Sequence, residues 1–590
     1  MINTFSKIIN LLSKKEKKSY LLLLLSILIS SVLDLLGIAS IFPFIFLISN
    51  PDIIETNKII NFIYILFINL EIIQNKESFI ILSGILTIFF LILSIFFRSL
   101  SYALIVRFSL NFEKNMNLNL VKNYLSKPYV YFLDKNSTNI YRKIITQTRD
   151  TVDRLVYPLV SLITHLLMIT LILSFLMYIN PLIFFNIFFI LSIFFFLSFY
   201  LQRKKIKLKG RDEINSNLKN LNTLFNIFSS IKNTKVNQLE ERLFTYYSEE
   251  LKKRIQSQKF IKIISSLPRQ FLELFGFMVM IIIILINVSN KVEIIDLMPI
   301  FTVYALSGYR LLPSIQHVYF ALTNIEYSNI AFEEIYSDLK YFKFENNFVK
   351  KNRLIIPFSK SIKLKNVTLK YPNSNNLVLN NINLNIKAYS KIGIVGPSGS
   401  GKTTLLDIIM GLIEPTKGKI FVDNCLLEKK NILSWYSNIG YVTQNIKLFN
   451  ESIEDNIINL DKENYNKKHI EEVSKVSLIH DFIVKQLPHK YKTNIGDDGS
   501  SLSGGQKQRI GIARAIYGKP KLLILDEATN SLDLKTEVQI LKSLFRYANK
   551  KITIIIVSHN LNRLKYCDAI YSISKGKLKK LKKRVLNLEY

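Results

Sequence analysis

What most restricts this 590-residue chain is a series of apolar runs, each long enough to cross a bilayer, confined to its amino-terminal part. A helix needs about 20 predominantly apolar residues to traverse the hydrocarbon core. Runs of that length lie near 20–46, 78–106, 156–179, 181–202, 260–287 and 294–324. They predict a polytopic α-helical membrane domain over 1–325 with six transmembrane helices, which leaves both termini cytoplasmic. The stretches 107–155 and 203–259 are then cytoplasmic too, and they are Lys-rich and too long for simple turns. They are expected to continue the membrane helices into the cytosol, with a short connecting helix at each tip, near 129–136 and 227–236. The outer stretch 59–70 is too short to span, and two readings stay open: a helix on the outer membrane face or an ordinary loop helix. Residues 1–18 predict an amphipathic elbow helix, with Ser13 and Glu16 at capping-box spacing ahead of the first span. That span outlasts a signal peptide and no small-residue cleavage site follows it, so its retention is expected.

A net charge of +34, from 78 Lys and Arg against 44 Asp and Glu, raises nucleic acid as a partner. Nucleic-acid binders cluster such charge on a soluble face. Here Lys14-Lys15-Glu16-Lys17-Lys18 and Arg203-Lys204-Lys205 border apolar runs, which is the positive-inside pattern of membrane spans. The expected partner is therefore the lipid bilayer and no nucleic acid. The only cysteines, Cys425 and Cys567, lack metal-ligand spacing and support no disulfide framework.

The composition changes near residue 326. A linker is expected over 326–361, and from 362 short β-branched runs alternate with helical stretches, the pattern of an α/β domain over 362–590. After the strand at 391–395 comes Gly396-Pro397-Ser398-Gly399-Ser400-Gly401-Lys402-Thr403-Thr404, a P-loop in its required strand–loop–helix context. Its glycines let backbone N–H groups wrap phosphates at a helix start. Lys402 is placed to neutralise them and Thr403 to hold Mg²⁺. Four apolar residues, Leu522 to Leu525, lead into Asp526 and Glu527; Asp526 is positioned to order Mg²⁺, and Glu527 to polarise an attacking water. Between these anchors lies Leu502-Ser503-Gly504-Gly505-Gln506, a second Gly-rich helix start. A second phosphate-binding helix end makes sense if it caps the ATP of a partner subunit.

At these residues the chain resembles the nucleotide-binding domain of the ABC superfamily, of the exporter type in which a membrane domain is fused to the motor. The resemblance implies a homodimeric, ATP- and Mg²⁺-dependent transport ATPase of the cytoplasmic membrane of bacteria, with the motor cytoplasmic. It assigns Tyr371 to adenine stacking, Gln444 to the Q-loop (contacting Mg²⁺, water and the membrane domain), Asp533 to the D-loop, and His559 to the γ-phosphate. It also makes 494–500 the loop that reports to the membrane domain, and 129–136 and 227–236 the coupling tips, which could otherwise be plain connectors. One departure is Asn560, where family exporters usually carry Arg after the switch histidine.

Three arginines fall within spans: Arg98, Arg269 and Arg310. A charge there costs about 2.5–3.5 kcal/mol and faces a cavity or a partner, and Arg grips phosphate oxygens well through its planar fork. The competing reading has them reaching an interface or pairing with acids such as Asp34. Their contexts, Phe97-Arg98-Ser99, Leu267-Pro268-Arg269 and Tyr309-Arg310-Leu311-Leu312-Pro313, resemble the lipid-linked oligosaccharide flippases of bacterial protein N-glycosylation. That likeness implies a lipid-linked, (pyro)phosphate-bearing glycan as cargo, met by these arginines. Lipid A-type lipids, hydrophobic peptides and drugs are the alternative cargoes.

Overall fold

In the computed structural model the described backbone comprises residues 2–581 apart from 50, 52, 57, 72, 134, 180, 290–293, 341–355, 372–375, 530 and 560. The chain forms two compact units, one of residues 1–127 with 134–345 and one of residues 128–133 with 346–590.

The first unit is helical. Helix α1 (Ile2–Leu11) is followed by α2 (Lys14–Ala39), whose start closes the expected capping box: Ser13 N donates to Glu16 Oε2 at 2.7 Å and Ser13 Oγ accepts from Glu16 N at 3.3 Å. Then come α3 (Lys76–Ser126), α4 (Tyr157–Ile179), α5 (Pro181–Ser229), α6 (Glu240–Ser289) and α7 (Ile294–Leu339). Helices α3, α5 and α6 have 51, 49 and 50 residues, so each runs roughly 75 Å, more than twice a hydrocarbon core of about 30 Å. The expected cytosolic extensions are thus continuous helix. Along α3 the stripe Ile81, Ile85, Ile88, Ile92 and Phe96 is 57–63% exposed, an apolar patch of the kind that meets lipid or another protein. Among the described residues, Lys14–Ser49, Lys76–Ser126 and Ser137–Ile179 are long and apolar enough to cross a membrane. The outer stretch is a short helix, Lys58–Asn69. Its Ile60, Tyr64 and Phe67 pack on Leu47, Ile54 and Phe79, while Phe62, Ile65 and Leu66 are exposed.

Helix α7 continues to Leu339, so 326–339, expected as linker, is helical. Charged residues on this stretch are paired. Glu333 binds Lys7 of α1 at 2.5 Å, Glu334 binds Arg142 at 2.9 Å, and Asp338 binds Lys143 at 2.6 Å.

A second polar node joins the helices beyond their expected spans. Ahead of α4 the chain winds through two π turns, Arg142–Gln147 and Val152–Val156, which aim Arg154 at Glu213 of α5 (2.6 Å). Gln258 of α6 donates to the other carboxylate oxygen, and Tyr327 of α7 packs beside the pair. Burial opposes the Glu213 charge, yet Arg154 and the hydrogen bonds hold its carboxyl below the usual range. Close by, a side chain at Gly210 of α5 would run into the Tyr327 carbonyl. Replacing Glu213 by Ala strands a mostly buried guanidinium, so it should lower stability by about 3 kcal/mol, read as a fall in melting temperature of the detergent-solubilised protein. Since the folded pKa is depressed, the native pair's contribution is present above the usual carboxylate range and fades as pH falls through it.

The second unit holds two sheets. Strands β1 (Ser361–Lys370), β2 (Leu377–Lys387), β4 (Lys417–Val422) and β5 (Cys425–Leu426) form an antiparallel sheet in the order β2-β1-β4-β5. The other sheet has the order β10-β9-β3-β8-β7-β6, built from β3 (Lys391–Val395), β6 (Ile439–Val442), β7 (Leu522–Asp526), β8 (Thr553–Val557), β9 (Ala569–Ser574) and β10 (Lys577–Lys580). Strands β9, β3, β8, β7 and β6 are parallel. Strands β7 and β8 are buried along their whole length, as central parallel strands are. Burial pushes the Cys567 thiol up to about 12, whereas Cys425 is exposed. A maleimide should therefore label one thiol of the native protein, at Cys425, and two after denaturation, as counted by mass spectrometry.

Candidate functional site

The site forms where β3, β7 and β8 end, the crevice in which open parallel sheets bind ligands. Strand β3 delivers the P-loop to helix α8 (Lys402–Met410), whose N-cap, Gly401, has φ +101°. A Cβ there would press on Leu379 and on the Val378 carbonyl, so only glycine closes this turn. The Lys402 ammonium donates to the carbonyls of Gly396 (2.8 Å) and Pro397 (3.0 Å) and so stays at the mouth of the loop. The neighbouring Ser400 hydroxyl is buried without a hydrogen-bond partner among the described residues. Thr403 is exposed on the first turn of α8, and Tyr371 reaches in to place its hydroxyl 3.3 Å from Thr404 Oγ1.

At the end of β7, Glu527 adopts φ +51°, a strained backbone of the kind that accumulates at working sites. That turn aims its carboxylate between two expected partners. Gln444 Nε2 donates to Oε2 at 2.9 Å, and His559 Nε2 lies 2.6 Å from Oε1. The three residues assigned to catalysis therefore meet at one carboxylate. Asp526 is buried beside them and accepts from the Tyr441 hydroxyl at 3.4 Å; burial, then the adjacent Glu527 charge, raise its carboxyl.

These groups suit a nucleoside triphosphate and Mg²⁺. An unsatisfied buried hydroxyl and an ammonium line a loop that has no room for side chains at Gly396 and Gly401, and Thr403, Asp526 and Gln444 offer oxygen ligands for a hard cation. Replacing Gly401 by Val should abolish binding of a fluorescent ATP analogue while the circular dichroism spectrum persists, because the residue must hold φ +101° against Val378.

Residues 379–530, which run from β2 past the end of β7, match the family "ABC transporter". This segment belongs to the ABC transporter family. Its relatives include an ATP-dependent lipid A-core flippase of Wigglesworthia glossinidia brevipalpis, 39% identical over 217 residues, 37% of each chain. A multidrug resistance-like ATP-binding protein MdlA of Buchnera aphidicola subsp. Baizongia pistaciae is 40% identical over 220 residues, 37% of this chain and 38% of that one. A β-(1→2)glucan export ATP-binding/permease protein NdvA of Bartonella quintana is 37% identical over 218 residues, 37% of this chain and 36% of that one. The chain thus matches little more than a third of the length of these relatives. A solved structure of a bacterial Atm1-family ABC exporter with ATP bound shares the fold over 97% of this chain and 96% of its own, with a TM-score of 0.76 at 20% identity.

The other ABC elements lie apart from this carboxylate cluster. Ser503 caps α9 (Gly504–Tyr517) in a reciprocal box with Gln506, at 2.8 and 3.3 Å. Gly504 and Gly505 face Ser531 and Leu532, where a Cβ would come within 3.4 and 3.1 Å. Asp533 caps α10 (Leu534–Tyr547) by accepting from Thr536 N at 2.8 Å. The loop 494–500 is tied to the segment after Gln444, with Asp498 bound to Lys447 (3.0 Å) and Asp497 to Asn450 (2.7 Å). Asn560 lies outside the described residues. In the membrane unit, Arg98 is exposed on α3 and lies within electrostatic reach of Asp34, whose carboxylate accepts from Ser94. Arg310 is half-buried on α7; Arg269 lies on α6, its side chain outside those described.

Three contributors escaped sequence reasoning. Asp407, four residues beyond Thr403 and flanked by apolar neighbours, is buried near Asp526; burial and then that charge push it up to about 6. Its one visible signal was a carboxylate in the run Leu405-Leu406-Asp407-Ile408-Ile409. Arg514 of α9 binds the Lys447 carbonyl (2.9 Å) and Asn456 Oδ1 (2.8 Å), which secures the chain after Gln444. Finally, residues 128–133, in the middle of the helical half of the sequence, belong to the ATP-binding unit. Val130 packs on its apolar core, and Tyr129 feels the charge of Asp407 and lies near Tyr371.

Proposed function

We propose that this protein is a homodimeric, ATP-driven exporter or flippase of the bacterial cytoplasmic membrane, with six crossings per subunit and its ATP-binding domain and termini on the cytoplasmic side. Its proposed domains are a membrane domain with an elbow helix, a connecting stretch within 326–361, and an ABC domain to the end of the chain. The cargo is a lipid-linked oligosaccharide bearing phosphate or diphosphate. The observation that carries the ATPase reading is the convergence of Gln444, Glu527 and His559 at one carboxylate. Bound Mg²⁺ supplies charge neutralisation at the phosphates, with Thr403, Asp526 and Gln444 as its holders. Glu527 accepts the proton of the attacking water, Gln444 orients that water, and His559 and Lys402 stabilise negative charge on the phosphoryl oxygens.

In the dimer, Ser503, Gly504, Gly505, Gln506 and Asp533 of one subunit face the nucleotide held by Gly396, Ser398, Gly399, Gly401, Lys402, Thr403 and Thr404 of the other, with Tyr371 against the adenine. The exposure of Ser503, Gly504 and Asp533 supports that division. The seat of residues 128–133 beside α8 supports their role in passing the state of the site to the membrane helices, and 227–236 is the second such tip. Opening and closing of the paired domains gives the two states that alternating access needs.

The cargo reading rests on Arg98, Arg269 and Arg310 within the expected spans. The similarity of the ATP-binding domain to a lipid A-core flippase favours lipid A-type cargo as a second reading, which also uses an anionic headgroup. In liposomes, E527Q should lower ATP turnover about 100-fold or more while ATP still binds. Polyprenyl diphosphate oligosaccharide should stimulate the unaltered protein, and the triple change R98Q/R269Q/R310Q should remove that stimulation and keep basal turnover. Equal loss of both activities in the triple variant would contradict the cargo reading, and unchanged turnover in E527Q the catalytic one.

A further inference from the structure

A pair of histidines stands among the expected membrane spans without any role in the foregoing. His165 of α4 and His317 of α7 stack face to face, 4.4 Å between ring centroids and 5° between planes. Polar side chains within spans are costly and mark function when they are not absorbed by a partner. The Nδ1 of His165 is buried and has no hydrogen-bond partner among the described residues, as is the hydroxyl of its neighbour Thr164. His317, by contrast, is exposed. One turn away, Ser314 of α7 donates to the Met168 sulfur of α4 at 3.3 Å, so the register that brings the rings together is fixed by packing on the same two helix faces.

The pair lies at a telling depth. Counted from the expected cytoplasmic ends of the spans at 106, 156, 260 and 324, residues 98, 165, 269 and 317 all lie about 10–14 Å deep, and Arg310 about 20 Å deep. Arg310 also precedes His317 by seven residues, two turns, which puts both on one stripe of α7. Stacked imidazoles carry their nitrogen lone pairs and N–H bonds in parallel planes. Two such rings do not converge on a single metal ion, but they present parallel N–H donors to neighbouring oxygens of one anionic group.

We infer that His165 and His317 form a binding site for the phosphate or diphosphate headgroup of a lipid cargo, level with the span arginines. This rests on the lipid-phosphate reading above and adds two imidazole N–H donors to a site otherwise assigned to the arginines. Such donors hold phosphate oxygens through directed hydrogen bonds.

The test is ATPase stimulation of the reconstituted full chain by polyprenyl diphosphate, by the matching uncharged polyprenol, and by inorganic diphosphate alone. H165Q/H317Q should raise the half-saturating polyprenyl diphosphate concentration about 10-fold and leave basal turnover unchanged. H317Q alone, at an exposed position, should raise it about 3-fold, and carries the test if the double variant melts early. Unshifted half-saturation in a folded variant overturns the histidine site while the cargo reading stands. Equal stimulation by polyprenol overturns headgroup recognition, and stimulation by inorganic diphosphate alone overturns the lipid assignment. An unaltered protein that ignores every phosphorylated lipid overturns the cargo reading and this inference together.

Discussion

Hydrocarbon offers a peptide group no hydrogen-bond partner, and that shortage shapes the helical unit. Each segment in lipid must satisfy its own backbone, so it is helix throughout, and α3, α5, α6 and α7 do not stop at the expected membrane boundary. Once they leave it, their flanks no longer face lipid and must be joined by other means. The joins are polar: Arg154 with Glu213 and Gln258, Arg142 and Gln147 with Glu334, Lys143 and Tyr124 with Asp338. The π turns before α4 belong to this arrangement, since they bring Arg142, Gln147 and Arg154 to their partners where an unbroken α-helix would rotate them away.

The ATP-binding unit uses strain in the same economical way. A buried parallel sheet delivers its functional groups at the carboxyl ends of β3, β7 and β8, and the left-handed turn at Glu527 points one carboxylate at both Gln444 and His559. Around that carboxylate burial and then the Asp526 charge raise Asp407, burial and then the Glu527 charge raise Asp526, and the Lys402 ammonium is held by loop carbonyls. Segment 128–133 abuts this acidic cluster through Tyr129, so a stretch of the helical half of the sequence is built into the wall beside the P-loop helix.

Much of this was legible in the amino-acid sequence, for a physical reason. Crossing a bilayer demands a minimum apolar length, and wrapping phosphates demands glycines at fixed offsets, so both leave local patterns that spacing reveals. The P-loop and Asp526-Glu527 were found that way, Gln444 and His559 came from the family resemblance those motifs carry, and the capping boxes at Ser13 and Ser503 obey equally local rules. What escaped depends on separation. Arg154 and Glu213 are 59 residues apart, and Arg142 and Glu334 are 192 apart, so no window includes both. The pairing of Glu333, Glu334 and Asp338 was not legible because their partners lie elsewhere in the chain. Asp407 went unmarked because the Asp526 charge that it feels lies far away in the sequence.

The reciprocal cap at Ser503 has a consequence for the resting protein. Its hydroxyl and the Gln506 side chain answer each other, so the exposed start of α9 has no raw donors at those two positions. Any phosphate that recruits Ser503 displaces a cap of about 1 kcal/mol, a small toll that a triphosphate meets easily and a stray surface does not. Until such a phosphate arrives, those two backbone donors are closed to any other surface.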